Sequence, residues 1–409
     1  MTIDYCCEKA FSGKSPKYSK EITPYKIIGQ QANQRYGIDL TFIKYGTKEF
    51  AEAQQDFYYL QYNDVLLNTL GTGSIGRSGI YKYDEKILTD GHPFVFRTKK
   101  KYVADLLFYY LRLNEQKIIN TANGSTNQKF LSLKTFLKFP IPLPPTLAEQ
   151  QRIVNRIEIM FAKLDQAQEK AQSVLDSFEP RKAAILHKAF TSELTANWRK
   201  ENGVSDDSWE EKLFQELIIG TPQNGMYKSK EYYGNGTKIL RIDCFYDGSI
   251  VSWDLLKRLQ ISDEELKTYH LDLNDVVINR VNSMPYLGKS ALIRKLPEKC
   301  VFESNMMRIK LQLNLLHPEY IIISLNSTQG LLELRKNAKQ AVNQASINQQ
   351  DVKNVIVPVP TLPKQQEIVR ILDTVLEKES RAKEAAQSVL DQIALLKKSI
   401  LARAFRGEL

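Results

Sequence analysis

The sequence predicts an α+β protein in which two pseudo-repeated globules are joined by two long helices forming an antiparallel coiled coil. A helix-opening motif occurs twice, as Pro145-Thr146-Leu147-Ala148-Glu149-Gln150-Gln151-Arg152-Ile153-Val154 and, 215 positions later, as Pro360-Thr361-Leu362-Pro363-Lys364-Gln365-Gln366-Glu367-Ile368-Val369. The copies stay in step without a gap. Ala171-Gln172-Ser173-Val174-Leu175-Asp176 returns as Ala386-Gln387-Ser388-Val389-Leu390-Asp391, and Ala189-Phe190-Thr191-Ser192-Glu193-Leu194 as Ala404-Phe405-Arg406-Gly407-Glu408-Leu409. A repeat of this length is a duplicated module, too long for a solenoid unit.

In chain order, residues 1–144 make the first globule and 145–198 the first helical region. Residues 199–357 make the second globule and 358–409 the second helical region. The first globule carries short apolar runs read as strands, Asp64-Val65-Leu66-Leu67 and Ile80-Tyr81-Lys82-Tyr83, and one helix, Val103 to Leu111. Phe139 to Pro145 reads as an extended connector. Thr195 to Ser208 is polar, contains Asn202-Gly203, and reads as a linker before Trp209. The globules resemble each other in order: Asn63-Asp64-Val65 with Asn274-Asp275-Val276, Gly76-Arg77-Ser78 with Gly288-Lys289-Ser290, and Asn127-Gln128 with Asn343-Gln344.

The helical regions carry heptad seams. Steps of four and three link Ile153, Ile157, Met160, Leu164, Ala167, Ala171, Val174, Phe178, Arg181 and Ile185. The second seam is Ile368, Leu372, Val375, Glu379, Ala382, Ala386, Val389, Ile393, Leu396 and Ile400. A seam needs a partner helix, and two matched seams in one chain satisfy each other at high effective concentration. The pair would form a rod of roughly 50 Å at about 1.5 Å per residue. Arg181 and Glu379 each break the apolar pattern once. Thr146 and Glu149 have capping-box spacing, which Lys364 cannot complete in the second copy. Pro180 removes a helical hydrogen bond, so a kink or break is expected near Phe178 to Pro180 in the first helix alone.

Composition narrows the function. A formal charge of +10 and a pI near 9.1 favour an acidic partner, nucleic acid ahead of membrane. No apolar run reaches the length of a membrane span and the N-terminus lacks a signal-peptide design, so a cytoplasmic protein is expected. Cys6, Cys7, Cys244 and Cys300 read as free thiols. Gly71-Thr72-Gly73-Ser74-Ile75-Gly76 fits a dinucleotide fingerprint, but a strand-like run follows where the fingerprint needs a helix; a tight turn is expected. Leu287-Gly288-Lys289-Ser290 lacks the first glycine of a phosphate loop. The histidines (His92, His187, His270, His317) show no ligand spacing. No catalytic set, metal site or cofactor is expected.

Both globules place cations beside Gly, Ser, Asn and Tyr in expected loops. Cations neutralise phosphates, while Asn, Gln and Arg make paired hydrogen bonds to base edges. The DNA-binding candidates in the first globule are Lys14, Ser15, Tyr18, Arg35, Tyr36, Thr72, Ser74, Arg77, Asn127 and Gln128. In the second they are Lys228, Arg241, Asn279, Arg280, Asn282, Lys289, Asn343, Gln344 and Ser346.

The chain resembles a type I restriction-modification specificity subunit (the HsdS family). The residues that carry the likeness are the Pro-Leu-Pro-Pro-Thr-Leu-x-Glu-Gln-Gln-x-Ile-Val segment ending at Val154, its second version from Val357 to Val369, the two Ala-Phe-x-x-Glu-Leu segments, and Trp209-Glu210-Glu211-Lys212-Leu213. The resemblance implies two target-recognition domains, each reading one half of a bipartite double-stranded DNA site, held apart by an antiparallel helix pair that sets the spacer. It implies no catalysis in this chain. Its partners would be two methyltransferase (modification) subunits, which supply adenine methylation with S-adenosylmethionine, and restriction subunits. Two departures stand out: the first globule has no counterpart of Trp209, and Lys364 replaces Glu149, which would weaken one contact with a modification subunit. The alternatives are a recognition module of a fused restriction-modification enzyme, which would need catalytic motifs, and a coiled-coil adaptor that binds no DNA.

Overall fold

The computed structural model describes residues 1–34, 37–71, 73–122, 129–205, 209–246, 248–250, 252–342 and 344–409. The chain divides into two compact units, Met1–Gln172 with Ala386–Leu409, and Ser173–Ala385.

The first unit holds strands β1 (Cys7–Ser12), β2 (Lys26–Ile28), β3 (Lys44–Tyr45), β4 (Val65–Asn68), β5 (Ser78–Ile80), β6 (Leu88–Thr89) and β7 (Pro93–Thr98), followed by helix α1 (Lys101–Leu113) and the start of α2 (Leu147–Asp176). An antiparallel sheet has the order β1-β7-β4-β5. A second sheet has the order β3-β2-β6, with β2 antiparallel to β3 and parallel to β6. Val65, Leu66 and Leu67 are fully buried. One face of β4 meets Val103, Leu107 and Leu111 of α1; the other meets Phe11, Ile28, Tyr81 and Val95. Cover on both sides explains a continuous apolar run where a half-buried strand would alternate. The strand expected over Ile80 to Tyr83 is instead Ser78–Ile80, because Tyr81 turns back to bond Asp64 and Asn63.

The second unit starts with α3 (Phe178–Phe190) and continues with β8 (Glu210–Leu213), β9 (Ile218–Asn224), β10 (Tyr233–Leu240), β11 (Lys257–Leu259), β12 (Val276–Asn279), β13 (Ser290–Leu292), β14 (Cys300–Phe302) and β15 (Met306–Leu311). Helix α4 (Pro318–Asn326), β16 (Ile356–Val359) and the start of α5 (Leu362–Phe405) complete it. The sheet order β9-β15-β12-β13 repeats that of the first unit. So does a three-stranded sheet β11-β10-β14, again with one antiparallel and one parallel neighbour. The linker expected over Thr195 to Ser208 is a correction: Ala196–Asn202 is helical and ends where Gly203 adopts φ 65° as a left-handed cap. Residues 206–208 lie outside the described residues. The strand β16 leads into α5 and pairs antiparallel with β8, which follows Trp209.

Matched turns show how the duplication survives. Asn63 and Asn274 have φ of 73° and 68°, a left-handed backbone that asparagine tolerates better than most residues. The next residue, Asp64 or Asp275, accepts a backbone N–H three residues upstream, from Gln61 at 2.9 Å or Asp272 at 2.8 Å. The glycine-rich candidate is a turn between β4 and β5, with Gly71, Gly73 and Gly76 at φ 89°, 92° and 81°. Gly288 closes the equivalent turn at φ 74°.

Within each unit the long helices run antiparallel. Lys397 meets Asp165 at 2.5 Å in the first unit, and Arg181 meets Glu379 at 2.9 Å in the second. The two polar breaks in the seams are therefore an ion pair with each other. The first helix breaks at Ser177, one residue before the expected stretch, and resumes at Phe178; α5 runs unbroken from Leu362 to Phe405. Pro180 sits in the first turn of α3, where its missing N–H costs least, and the Ser177 hydroxyl bonds Ser173 O at 2.7 Å. The second seam is corrected toward its end: Ile393 is buried as the seam requires, but Val389 and Leu396 are exposed, and Leu401 and Ala404, which lie off the seam, are buried. The first globule draws the helix face round, since Leu401 and Ala404 pack with Leu106, Tyr109 and Phe161.

The capping box forms only in part. Thr146 Oγ accepts Glu149 N at 3.3 Å, but the Glu149 carboxylate binds Arg152 at 2.7 and 2.8 Å instead. Gln150, buried, donates to Pro144 O at 2.9 Å, and Gln365 donates to Pro360 O at 2.8 Å. These amides tie each connector to the helix that follows.

Candidate nucleic-acid interface

The candidates of the first globule fall into two groups. Lys14 and Ser15 are exposed after β1; Lys14 Nζ lies 5.6 Å from the Tyr58 ring, and Lys44 Nζ lies 5.1 Å from the ring of half-exposed Tyr18. The other group surrounds the turn between β4 and β5. Ser74 Oγ donates to Leu70 O at 2.7 Å, which closes the turn. Arg77 donates to Gly73 O at 2.8 Å and to Gln34 Oε1 at 3.1 Å, binding the turn to the Asn33–Gln34 strand. Arg35, Tyr36, Thr72, Asn127, Gln128 and Asn343 lie outside the described residues.

In the second globule, the strands Val281–Asn282, Ala345–Ser346 and Lys339–Gln340 form one small antiparallel sheet. It brings Arg280, Asn282, Gln344 and Ser346 together, although more than sixty residues separate them in the chain. Gln344 is exposed and Val342 at the hairpin tip is fully so. Arg280 Nη1 donates to Ser304 O at 2.9 Å, and Ile347 N donates to Arg280 O at 2.9 Å. Lys289 Nζ lies 5.9 Å from the Tyr286 ring on the adjacent turn.

Lys228 and Arg241 belong to a more neutral region. Lys228 pairs with Glu265 at 2.7 Å and holds that carboxyl below the usual carboxylate range. Arg241 lies 3.6 Å from Asp243 and 3.8 Å from Glu303; burial pushes the Glu303 carboxyl up. Asn279 is a correction. It is 1% exposed at the end of β12, its backbone bonds Gly288 and Lys289, and its amide reaches Tyr286 O at 3.4 Å, so it anchors the turn from inside. Asn68 is its counterpart, bonding Gln30 O at 3.0 Å. Lys339 pairs with Ser346 in the same small sheet, and the carbonyls of Ser304 and Asn305 accept bonds from Arg280, a set of neighbours brought in by strands distant in the chain.

The exposed groups are amides, hydroxyls and cations, suited to base edges and phosphates. Among the described residues, no group of three His, Cys, Asp or Glu is placed to hold a metal ion, and the four cysteines are free. Among the described residues, no helix is long and apolar enough to cross a membrane.

This geometry can be set beside known proteins. Residues 4–175 and 208–388 match the type I restriction modification DNA specificity domain. The type I restriction enzyme EcoKI specificity subunit of Escherichia coli K12 is 28% identical over 319 residues, 77% of this chain and 68% of that protein. The HsdS subunit of Thermoanaerobacter tengcongensis aligns over 100% of this chain and 96% of its own, at 18% identity and TM-score 0.61. A chain from a structure of complex assembly and conformational transition in the type I R-M system aligns over 100% and 97%, at 17% identity and TM-score 0.72. At such identities the likeness to solved structures is one of fold.

Proposed function

Because the chain belongs to the family of type I restriction-modification DNA specificity domains, we propose that it is a non-catalytic subunit in which each globule reads one half of a bipartite duplex DNA target. The helical pair sets the unspecified spacer and docks two modification subunits; restriction subunits join the same complex, in the cytoplasm. The observation that carries the reading is the repeated scaffold with unlike polar rims: the sheet orders and Asn-Asp turns match, while the exposed groups differ. A scaffold copied to read one sequence twice would keep its rim. The division into 1–144, 145–198, 199–357 and 358–409 assigns two reading heads and two helical regions. Lys14, Ser15 and Tyr18, with the turn bearing Thr72 to Arg77, serve the first half-site. Arg280, Asn282, Lys289, Gln344 and Ser346 serve the second.

The test is methylation-site mapping in a host that carries the chain with its modification subunits. Asn282→Ala with Gln344→Ala should relax one half of the methylated motif, and Asn127→Ala with Gln128→Ala the other, each by about 1–3 kcal/mol of discrimination per lost paired contact. Relaxation of both halves by either variant would defeat the one-globule, one-half-site reading.

A further inference from the structure

The first unit contains an open cleft of about 580 Å³ between the turn after β4, the C-terminal end of α1, and the facing stretches of α2 and α5. Arg77, Arg112, Lys397 and Lys398 line it, and Glu115 is the one carboxylate among its described lining residues. Among the described residues, Lys397 is the one of these cations that pairs with a carboxylate, Asp165 at 2.5 Å. Arg112, half-buried, and Lys398, exposed, make no hydrogen bond or ion pair among the described residues. Among the described residues, the Arg77 guanidinium donates only to uncharged oxygens, and its buried Nε has no hydrogen-bond partner.

We propose that this cleft binds the DNA phosphodiester backbone beside the first half-site, with Arg112 and Lys398 as sequence-independent anchors and Arg77 as the link to the reading turn. This rests on the DNA-reading function proposed above and extends it to a surface outside the candidate loops. Converging cations repel one another, and a polyanion relieves that repulsion. Gln116, whose amide nitrogen donates one bond to Asn120 Oδ1 at 3.2 Å, keeps a second N–H for a phosphate oxygen. The cations come from three separate elements around an open cleft, an arrangement that follows a strand. A free nucleotide would need a glycine-rich turn leading into a helix, and here the turn leads into β5. Arg77 places the reading turn and the cleft in contact with one backbone. The anchor is one-sided: the internal repeat puts Ala183 where Lys398 stands.

The experiment uses the full chain, alone and assembled with its modification subunits, and measures affinity for target and unrelated duplexes across salt. Each lost phosphate contact should flatten the log–log salt slope by about 0.9. Arg112→Gln with Lys398→Gln should therefore lower it by about 1.8. Over a fourfold rise in salt the native chain then loses roughly twelvefold more affinity than the variant. Both duplexes should weaken alike, the methylated motif should stay the same, and Lys398→Arg should restore the Lys398 share. Arg112 also sits in the last turn of α1, where it complements the helix dipole; that role alone would leave the slope unmoved. Lys398 is exposed, so Lys398→Gln by itself tests the cleft without risk to folding. An unchanged slope with intact sequence preference would overturn the cleft alone. Saturable ATP binding lost in Arg112→Gln, with DNA binding unaffected, would reassign it to nucleotide. Absence of duplex binding by the native complex would take down both this inference and the function it rests on.

Discussion

Glu149 and Lys364 hold the same place in one repeated motif, yet their surroundings are opposite. Glu149 stands partly exposed, paired with Arg152 at the surface, and Arg152 also reaches the Leu409 carbonyl at 2.6 Å. Lys364 is fully buried: its ammonium lies 4.7 Å from the Trp209 ring and 3.3 Å from Ser192 Oγ. The second helix start is roofed by the segment that leaves α3 and enters β8. A lysine under that roof can use the electron-rich face of an indole, where a carboxylate would meet repulsion. The change from Glu to Lys is thus an adaptation to burial. Lys364 therefore presents no charge at the surface where Glu149 does. An identical motif does not guarantee an identical environment.

Exchanging the two residues gives the largest effect. Lys364→Glu places a carboxylate in a closed site against Trp209 and should cost on the order of 3–5 kcal/mol locally. Glu149→Lys should leave the first helix start intact. The measurement is amide exchange over residues 190–214 and 360–370 compared with 140–155, because a chain of two units does not unfold in one step. Equal loss of protection at both starts would break the comparison. Lys364→Met, which keeps length and drops charge, should cost much less than Lys364→Glu and so sharpen it.

A second contrast concerns the aspartate after each left-handed asparagine. Asp64 is 1% exposed and receives two bonds from buried Arg97, at 3.0 and 2.7 Å; Arg97 also bonds Tyr59 O at 2.9 Å. Asp275 is equally buried, but its cation, Lys310, is half-exposed and 3.4 Å away. Arg97→Ala strands a buried carboxylate and a backbone carbonyl, at a cost of about 3 kcal/mol. Lys310→Ala should cost about 1 kcal/mol, since water already shares that charge. Exchange in β4 and in β12 measures the two. A larger loss from Lys310→Ala would show that the second turn depends on its ion pair more than its exposure implies.

These contrasts separate what the sequence made legible from what it hid. The repeated motif, the antiparallel pairing and the glycine turn were readable because each is a local pattern or a match between two such patterns. Arg181 and Glu379 read as two defects, although opposite charges at facing seam positions could have been seen as a pair once the helices were set antiparallel. Asn279 read as a base-contacting residue because polarity in a glycine-rich stretch suggests a loop; burial at the end of a strand was invisible. Arg112 and Lys398 were passed over because their cleft joins residues nearly three hundred positions apart. Val389 and Leu396 fit the seam by spacing, yet the first globule pulls the helix face away from them.

The smallest predicted difference is one of pH. Burial pushes the carboxyls of Asp64 and Asp275 up in both globules, so they change stability with pH in the same sense and drop out of the comparison. What remains is the residue three positions earlier, neutral Gln61 in the first globule and Asp272 in the second. The hydrogen bond from Lys310, at 2.5 Å, holds the Asp272 carboxyl below the usual carboxylate range, with His270 and Arg308 assisting. A depressed folded value means that Asp272 adds stability above its unfolded value, about 3.9, and that this share is lost as pH falls through the folded value. Asp272 is half-exposed and water screens the pair, so the share should stay below about 1 kcal/mol. Between pH 5 and pH 3 the protection of residues 270–276 should fall by up to about fivefold more than that of residues 59–65. Asp272→Asn should abolish the difference. A difference that persists in Asp272→Asn would place the acid sensitivity in the buried aspartates, and the two turns would then differ in burial rather than in the one ionisable residue that distinguishes them.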